Sequence, residues 1–347
     1  MTVSAAARKS REIVFAPRIA DLFRRYRGES LFRLEPDTVG VAGAGLMDRL
    51  LRSRRANAEE RPTFKPVLGR HITKTESATL MRAVGADVRA ALGKPPGEPD
   101  LTGSWPQVPH NYLRDLVFGS ERLRFRMLVD RRLELTPKLT WSAVTWAAAL
   151  FGRPAPEVAL SSLARLVLEA DNFADRRFAM YLYRRVAGPV CFTVAALVTN
   201  ALWLGAPFAG DVPDEYLLNE TLRLLPPSWN ILRRHSPEFT AVDGRIGPRD
   251  DVLLLPLLSH RDPALWEAPD EFRPERWAAL DPDTHPGYLP FGHATERCWG
   301  RHMVLPLAAR ILALARRDGL TVDPRQAKGR VHLDGLLEVS GVRVVRS

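Results

Sequence analysis

A cysteine that follows a glycine-containing loop and precedes a predicted helix is the residue in this sequence best suited to chemistry. It is Cys298, within the segment LPFGHATERCWGRH at positions 289–302. The positive end of a helix dipole and its free backbone amides favour a thiolate at such a position. Arg297 and Arg301 add positive charge nearby. This pattern suits a metal ligand or a nucleophile, and the alternative is a small cysteine buried in the core.

Charged residues of opposite sign form a second pattern upstream of the cysteine. Glu220 and Arg223 are three positions apart in the segment ETLR, which places them on one face of a predicted helix. Arg276, in the segment FRPERW at 272–277, is predicted to fold back onto that pair. A buried network of this kind fixes a loop and performs no chemistry itself.

A long helix, predicted from about residue 174 to 204, is the third feature. Pro189 lies inside it, and proline lacks a backbone donor and crowds the carbonyl one turn earlier, so we expect a kink or local opening. The stretch 186–205 is uncharged and about long enough to cross a bilayer. It also contains Asn200 and two threonines, and no similar span accompanies it. We therefore predict a buried core helix and no membrane.

Hydrophobic spacing predicts the elements that position these residues. Helices are predicted at 19–26, 45–52, 78–92, 108–118, 121–132, 139–151, 156–170, 214–225 and 299–317, and strands at 31–34 and 38–41, within 229–257 and as a hairpin within 321–345. Residues 259–297 are predicted to be mostly coil, and so long an irregular stretch is unusual in a compact domain unless it has a function. The elements indicate a mainly α protein with small β-sheets.

Composition excludes several classes of protein. The 347 residues carry a formal charge of +10, but the basic residues are spread along the chain and are not interleaved with stacking aromatics, so no nucleic acid is expected as a partner. The two cysteines, Cys191 and Cys298, exclude a disulfide scaffold and a cysteine-based zinc finger. No apolar stretch follows the basic N-terminal residues, so no signal peptide is predicted and a cytoplasmic location is expected.

The order and spacing of four segments resemble the cytochrome P450 family. The segments are ETLR at 220–223, HRDP at 260–263, FRPERW at 272–277 and FGHATERCWG at 291–300. The resemblance covers most of the chain and is clearest from about residue 180 onward. It implies one cytochrome P450-like domain over 1–347, with a triangular helical fold and small β-sheets. Its N-terminal β-containing part would cover about 12–60, and its helical core and haem-binding part about 78–347.

The resemblance also implies a cofactor, haem b, buried in this fold. Cys298 would be the axial thiolate ligand of the haem iron, which pushes electron density to the metal and favours O–O cleavage. Phe291 would lie near the thiolate. Glu220, Arg223 and Arg276 would form a structural triad behind the haem.

Three basic residues are candidates for pairing with the haem propionates. Arg234 matches the family's arginine at this place, where a bidentate contact between guanidinium and carboxylate is the physical reason for the residue type. Lys65 and His293 are further candidates. The cysteine loop departs from the family at Ala294, where glycine is usual, and at Glu296, where a basic residue is usual. The Glu296 carboxylate is expected to turn away from a propionate or to pair with a neighbour such as Arg297.

The long helix departs from the family where dioxygen is normally activated. An acid followed by an alcohol is usual there, but Val190 occupies the acid position and Cys191 the first alcohol position. Proton delivery needs a titratable or hydroxyl group within hydrogen-bond reach, and valine has none. Thr193 would serve only if Pro189 shifted the register of the helix.

Two functions from different classes follow from the resemblance. The first is a bacterial haem-thiolate oxidoreductase that tailors a specialised metabolite. Monooxygenation is the leading chemistry, and peroxide-driven oxidation and a non-oxidative rearrangement, cyclisation or dehydration remain alternatives. The second is a haem-free auxiliary protein that stabilises or activates a partner enzyme such as a glycosyltransferase.

Two partners are expected for the enzyme. The segment between residues 52 and 78 is short for the family, which indicates an open distal pocket that admits a large or carrier-bound small-molecule substrate. A small acidic ferredoxin is the expected electron donor, attracted by Arg297, Arg301 and Arg310.

Overall fold

The chain divides into two compact units, each assembled from segments that are distant in sequence. The structure, a computed structural model, describes residues 13–53, 69–118, 123–134, 137–150, 161–208, 211–292, 297–326, 329–333 and 337–347. The β-containing unit comprises Met1–Asn57, Leu197–Cys298 and Arg316–Ser347, and the helical unit comprises Ala58–Ala196 and Trp299–Ala315. The predicted division into an N-terminal β part and a later helical part differs from this one, because the N-terminal strands belong to the same unit as residues 197–298.

Helices account for most of the regular structure. They are α1 (Pro17–Tyr26), α2 (Ala44–Ser53), α3 (Lys74–Leu92), α4 (Gln107–Leu113), α5 (Leu123–Leu128), α6 (Arg131–Glu134), α7 (Lys138–Leu150), α8 (Ser162–Leu168), α9 (Phe173–Gly205), α10 (Asp214–Leu224), α11 (Pro237–Val242), α12 (Pro256–Ser259) and α13 (Arg301–Arg317). The strands are β1 (Ile13–Phe15), β2 (Leu31–Glu35), β3 (Thr38–Val41), β4 (Gly103–Trp105), β5 (Ile231–Arg233), β6 (Asp251–Leu254), β7 (Leu320–Val322), β8 (Val331–Leu333) and β9 (Val342–Arg346).

A four-stranded sheet in the order β2-β3-β6-β5 forms one part of the β-containing unit. Strands β3 and β6 run parallel, and Val39 lies opposite Val252 and Val41 opposite Leu254. These four side chains are buried in one apolar cluster, to which α2 contributes Met47. The period-two burial of β6 is the alternation expected of a sheet with one face against a core.

The C-terminal strands differ from the predicted hairpin. Strands β7 and β9 pair antiparallel, with Leu320 opposite Arg346. The strand between them in sequence, β8, instead pairs in parallel with β1, with Ile13 opposite Val331. The hairpin prediction is therefore correct for two strands and wrong for the third, because β8 has its partner near the start of the chain.

Three helical segments also differ from the predicted ones. Helix α3 begins at Lys74, four residues early, because Thr73 and Glu76 form a reciprocal capping box. The helix predicted over 121–132 is divided into α5 and α6. Residues 237–242 form helix α11 where strands and turns were expected, and proline is well tolerated at a first helical position.

Helix α9 is the long core helix that the sequence predicts. It is 33 residues long and passes a length and hydropathy test for a membrane span, but 83% of the apolar window is buried in the protein. The helix continues through Pro189, so the expected local opening is not found there. Burial on most sides compensates for one missing backbone donor.

Candidate functional site

Cys298 lies in the loop before α13 and its side chain is exposed. Its backbone N–H donates to the Phe291 carbonyl at 2.8 Å, which closes the loop on itself. The loop turns at Gly292, whose φ of 83° lies in the region that glycine tolerates best. Gly300 caps the helix by accepting from the Val304 N–H at 2.7 Å. The cysteine is therefore two residues before the cap and not in the first helical turn, but its thiol is open and not packed in hydrocarbon.

The residues around Cys298 are only partly described. Phe291 is half-buried, and its carbonyl fixes the cysteine backbone as given above. Arg297 donates to the Asp283 carboxylate and to the Asp283 carbonyl, each at 2.8 Å. His293 and Lys65 lie outside the described residues, so their predicted pairing with propionates stays a prediction.

Glu220 is the centre of a buried ionic network, and the structure brings the three predicted triad residues together. Arg223 donates to the two Glu220 carboxylate oxygens at 3.0 and 2.7 Å, and Arg276 donates to one of them at 3.1 Å. The Trp277 indole and the Arg273 backbone N–H also donate to this carboxylate, each at 3.0 Å. Glu220 and Arg223 are both completely buried. Five donors to one buried carboxylate satisfy it fully, which is what a buried ion pair needs to be stable.

Arg223 organises the coil that follows α12. Its Nη atoms donate to the carbonyls of His260, Pro269 and Glu271 at 2.8, 2.7 and 2.9 Å. His260 accepts the Leu289 N–H on Nε2 at 2.8 Å, so its Nδ1 carries the proton and donates to the Arg223 carbonyl at 3.1 Å. Burial, with the Arg223 charge as a smaller cause, lowers the pKa of His260 to about 3. The histidine is neutral and links α10 to the start of the cysteine loop.

Arg234, the predicted propionate partner, is paired with a carboxylate of the protein. Its Nη1 donates to Asp251 Oδ2 at 2.7 Å, and its side chain is 75% exposed. Backbone donation from His235, partly opposed by desolvation and then aided by Arg234, lowers the pKa of Asp251. A propionate would have to share this guanidinium with Asp251.

The distal stretch of α9 holds the three residues that depart from the acid–alcohol pair. Val190 and Cys191 are buried and Thr193 is half-buried. Because α9 is continuous through Pro189, it does not show the register shift that Thr193 would need to take the alcohol position. The threonine hydroxyl is the one polar side-chain group among these three that relays protons readily.

A second polar cluster lies in the helical unit, and the predictions from sequence missed it. His110, on α4, is fully buried, and among the described residues neither of its ring nitrogens has a hydrogen-bond partner. Burial is the main cause that lowers its pKa to about 3, followed by the charges of Arg131 and Arg114. Arg114 is also buried and donates to Asp115 at 2.9 and 3.2 Å and to Asn111 at 3.1 Å.

This cluster has the chemistry of an anion site. Leaving a buried polar group without partners costs about 1–3 kcal/mol, and such groups are rare in native proteins unless a ligand or water completes them. His110 lies on α4, and Arg114, four positions later, is the C-cap of α4 and the first residue of a π-helix, Arg114–Phe118. The buried Arg131 guanidinium lies 4.4 Å over the Phe192 ring. A carboxylate would satisfy both the histidine and the guanidinium charge. The spacing of histidine and arginine in PHNYLR was the available sequence signal.

Arg310 differs from its predicted role on a docking surface. It donates to the Tyr112 hydroxyl at 3.2 Å and to four backbone carbonyls at the end of α3 and just after it, those of Ala91, Leu92, Lys94 and Pro95. Arginine near a helix C-terminus satisfies carbonyls that lack intrahelical partners. Arg310 therefore braces α3, and Arg297 is paired with Asp283, so two of the three arginines of the predicted ferredoxin surface are engaged within the protein.

Comparisons with known proteins agree with this geometry. A sequence model of the family described as Cytochrome P450 matches residues 215–306, which include Glu220 and Cys298. Cyclooctatin synthase of Streptomyces melanosporofaciens is 34% identical over 188 residues, which are 52% of this chain and 33% of that protein. Cytochrome P450 3A1 of Rattus norvegicus is 40% identical over 100 residues, 26% of this chain and 19% of that protein.

Solved structures share the fold along nearly the whole chain. CYP154A1 from Streptomyces coelicolor A3(2) gives a TM-score of 0.55 at 17% identity, over 96% of this chain and 98% of that one. HmtN, a post-tailoring hydroxylase involved in himastatin biosynthesis, gives 0.52 at 16% identity, over 94% and 95%. The predicted mainly α fold with small sheets is confirmed.

The chain has the fold of solved cytochrome P450 structures, and its residues 215–306 match the sequence model of the cytochrome P450 family. It matches a third or less of the length of each of the two curated relatives described above.

Proposed function

We propose that this protein is a cytoplasmic haem-thiolate oxidoreductase that tailors a small molecule of bacterial specialised metabolism. The observation that carries the proposal is the exposed thiol of Cys298, in a loop that the cytochrome P450 model matches. Cyclooctatin synthase and the himastatin hydroxylase are relatives in sequence and in fold, respectively, and they support the substrate class. The proposed substrate is a small molecule, either free in solution or attached to a carrier protein.

The residues present fit a haem b group at its iron. An iron ligand needs an open donor atom, and Cys298 is exposed. We propose that Cys298 holds the iron. Arg234, which lies in the same unit, is the candidate for a haem propionate, in competition with Asp251.

A bound haem would supply the oxidation chemistry at its iron. Cys298 would hold the iron as a thiolate and donate electron density to it, and the contact from its N–H to the Phe291 carbonyl holds its backbone. The network of Glu220, Arg223 and Arg276 fixes the coil through which the chain approaches the cysteine loop. His260 extends that support to Leu289.

Proton delivery is the step for which this chain is least equipped. Val190 has no polar atom and Cys191 is buried. We propose that the Thr193 hydroxyl, water or the substrate supplies the proton. Monooxygenation is the leading reaction on this account. Peroxide-driven oxidation bypasses the proton relay, and a non-oxidative rearrangement needs no proton relay.

An acidic ferredoxin is the proposed electron donor for monooxygenation, attracted by the net charge of +10.

Titration of the haem-depleted protein with hemin tests the proposal. The wild type is expected to bind one equivalent with saturation. The Arg234→Ala variant is expected to bind several-fold more weakly, because it loses a charged donor that Asp251 already shares. The matched control is Arg245→Ala, at an exposed arginine paired with Asp243, which should leave binding unchanged. Absence of saturable binding by the wild type would reject the enzymatic function.

The haem-free auxiliary role is the second candidate. The engagement of Arg234 by Asp251 and the aliphatic residue at position 190 favour it. A wild-type protein that binds no hemin, yet raises the activity or the melting temperature of a partner glycosyltransferase on mixing, would establish this role instead.

A further inference from the structure

A cavity in the helical unit lies apart from the residues assigned above. Its volume is about 400 Å³, within the range typical of small-molecule sites. It is bounded by the N-terminal part of α3, the C-terminal end of α8 and the first turns of α9. The apolar residues that line it include Ile72, Leu80, Leu166, Phe178 and Leu182.

The charged groups that line this cavity have the sign opposite to the protein as a whole. Three carboxylates, those of Glu76, Glu169 and Asp175, line the cavity together with one guanidinium, that of Arg70. The complete chain carries a net charge of +10. A locally acidic and apolar cavity in a basic protein selects cations from solution and disfavours anions.

The contacts of Arg70 show how this cavity would bind a cation. Its guanidinium carbon lies 4.2 Å from the centre of the Phe178 ring, within the range of a cation–π interaction. Its Nη2 donates to Glu76 Oε1 at 3.0 Å, and its Nη1 is 4.0 Å from Asp175. An aromatic face with two carboxylates beside it therefore binds a guanidinium that the chain itself supplies.

The acceptors of the cavity are held in place without a ligand. The second oxygen of Glu76 accepts from the Thr73 N–H at 2.8 Å and from the Thr73 hydroxyl at 3.0 Å, and the backbone contact is the main cause that lowers the pKa of Glu76. Asn172 holds the Asp175 carboxylate at 2.7 Å. Preorganised acceptors bind a cation with little ordering of the protein.

The walls of the cavity are tied together as well. Asp87 on α3 accepts from the backbone N–H of Ser162 at 2.9 Å and from its hydroxyl at 2.9 Å, at the first residue of α8. This contact fixes the spacing of α3 and α8, so the cavity does not depend on a bound molecule for its shape.

Glu169 contributes a further negative charge to the cavity lining. It is the C-cap of α8 and its side chain is exposed. The negative end of the helix dipole has the same sign as this carboxylate. A cation in the cavity would interact favourably with both.

We propose that this cavity binds an amphipathic organic cation. Its guanidinium or ammonium group lies on the Phe178 ring and pairs with Glu169 and with Glu76, and its apolar body covers Leu80 and Leu182. Arg70 takes the cation position when no ligand is bound and swings out when one enters. The inference does not rest on the proposed haem chemistry.

Isothermal titration calorimetry with a matched pair of probes tests this site. The cation is phenethylguanidinium and the neutral control is phenethylurea, which has the same shape. A guanidinium keeps its proton and so offers no lone pair to iron, which makes the measured heat independent of the haem. We expect saturable binding of the cation that is at least about tenfold tighter than binding of the urea.

Variants of the cavity sharpen the test. Phe178→Leu is expected to weaken cation binding about tenfold, in line with a desolvated cation–π interaction, and Glu169→Gln about fivefold, in line with one carboxylate pair. Glu98→Gln, at an exposed acid outside the cavity, is the matched control and should have no effect. Arg70→Ala should tighten binding several-fold, because the internal competitor is removed.

Three results would overturn the proposal. They are equal affinity for the guanidinium and the urea, equal affinity of the Glu169→Gln and Glu98→Gln variants, and weaker binding by Arg70→Ala. Binding of phenethylurea to Phe178→Leu and the circular dichroism spectrum of this variant distinguish loss of the cation–π interaction from loss of the fold. A negative result here leaves the hemin titration unaffected, so the two proposals fail separately.

Discussion

Two histidines, one in each unit, are equally buried and differ in their partners. His260 and His110 are both fully buried, and burial lowers the pKa of each to about 3. His260 uses both ring nitrogens, towards Leu289 and Arg223. His110 uses neither among the described residues. A buried polar group with all its partners holds a fold together, whereas one without partners marks a place where a ligand completes the structure.

The arginines beside the two histidines follow the same contrast. Arg223 donates to a fully buried carboxylate and to three carbonyls, and all of these contacts lie within its own unit. Arg114 is buried but its carboxylate partner, Asp115, is partly exposed. The Glu220 region is therefore a closed scaffold, whereas the His110 region holds a buried imidazole whose ring nitrogens have no partner among the described residues.

The largest expected effect is at the centre of the scaffold. Glu220→Gln removes the charge that two arginines share and leaves them buried and uncompensated, so it should lower the free energy of unfolding by about 3–5 kcal/mol. Urea unfolding measures this loss. The matched control, Glu267→Gln, breaks an exposed pair with Arg273 and should change stability by less than about 1 kcal/mol. Equal losses of unfolding free energy in Glu220→Gln and Glu267→Gln would contradict the view that the Glu220 network is a buried scaffold.

Replacing each histidine by leucine should separate the two regions. His260→Leu leaves the Leu289 N–H and the Arg223 carbonyl without partners, which should cost about 1–3 kcal/mol of unfolding free energy in the haem-free protein. His110→Leu removes a buried polar group that has no partner among the described residues, so it should be neutral or stabilising. Thermal unfolding of the two haem-free variants tests this order, and a larger loss in His110→Leu would reverse the assignment.

Acid should destabilise the haem-free protein through both histidines. Each has a folded pKa of about 3 against an unfolded value near 6.5, so the unfolded state binds more protons between these values. Stability is therefore complete above about pH 6.5 and falls as the pH is lowered, by up to about 1.4 kcal/mol per pH unit for each histidine. Urea unfolding from pH 7 to 5 should show a shallower slope in His110→Leu than in the wild type. Identical slopes would mean that His110 is protonated in the folded state.

The smallest expected effect is at Arg234. Its exposed pair with Asp251 should contribute less than about 1 kcal/mol to stability, so Arg234→Ala should unfold at nearly the wild-type urea concentration. Its hemin affinity is the informative readout. A several-fold loss supports a propionate contact, and an unchanged affinity limits this arginine to the pair with Asp251.

Local spacing explains which parts of the site the sequence could predict. Glu220 and Arg223 lie three apart on one helix, so their pairing follows from helix geometry, and Cys298 stands in a motif with its neighbours. The contacts of Arg310 with the end of α3 join residues more than two hundred positions apart, which no local pattern encodes. His110 could not be singled out from sequence, because its lack of hydrogen-bond partners among the described residues is a property of the folded chain. The capping box of Thr73 and Glu76, in contrast, has a local spacing that the sequence contains.

The reduced, carbon monoxide-bound absorption spectrum of the purified protein tests the central claim most directly. The account predicts a Soret band shifted to long wavelength, as a thiolate-ligated haem gives. Cys298→Ser should abolish that shift, and Cys191→Ser, at the buried second cysteine, should retain it. A wild-type protein without the shifted band, or a Cys298→Ser variant that keeps it, would contradict the assignment of Cys298 as the iron ligand.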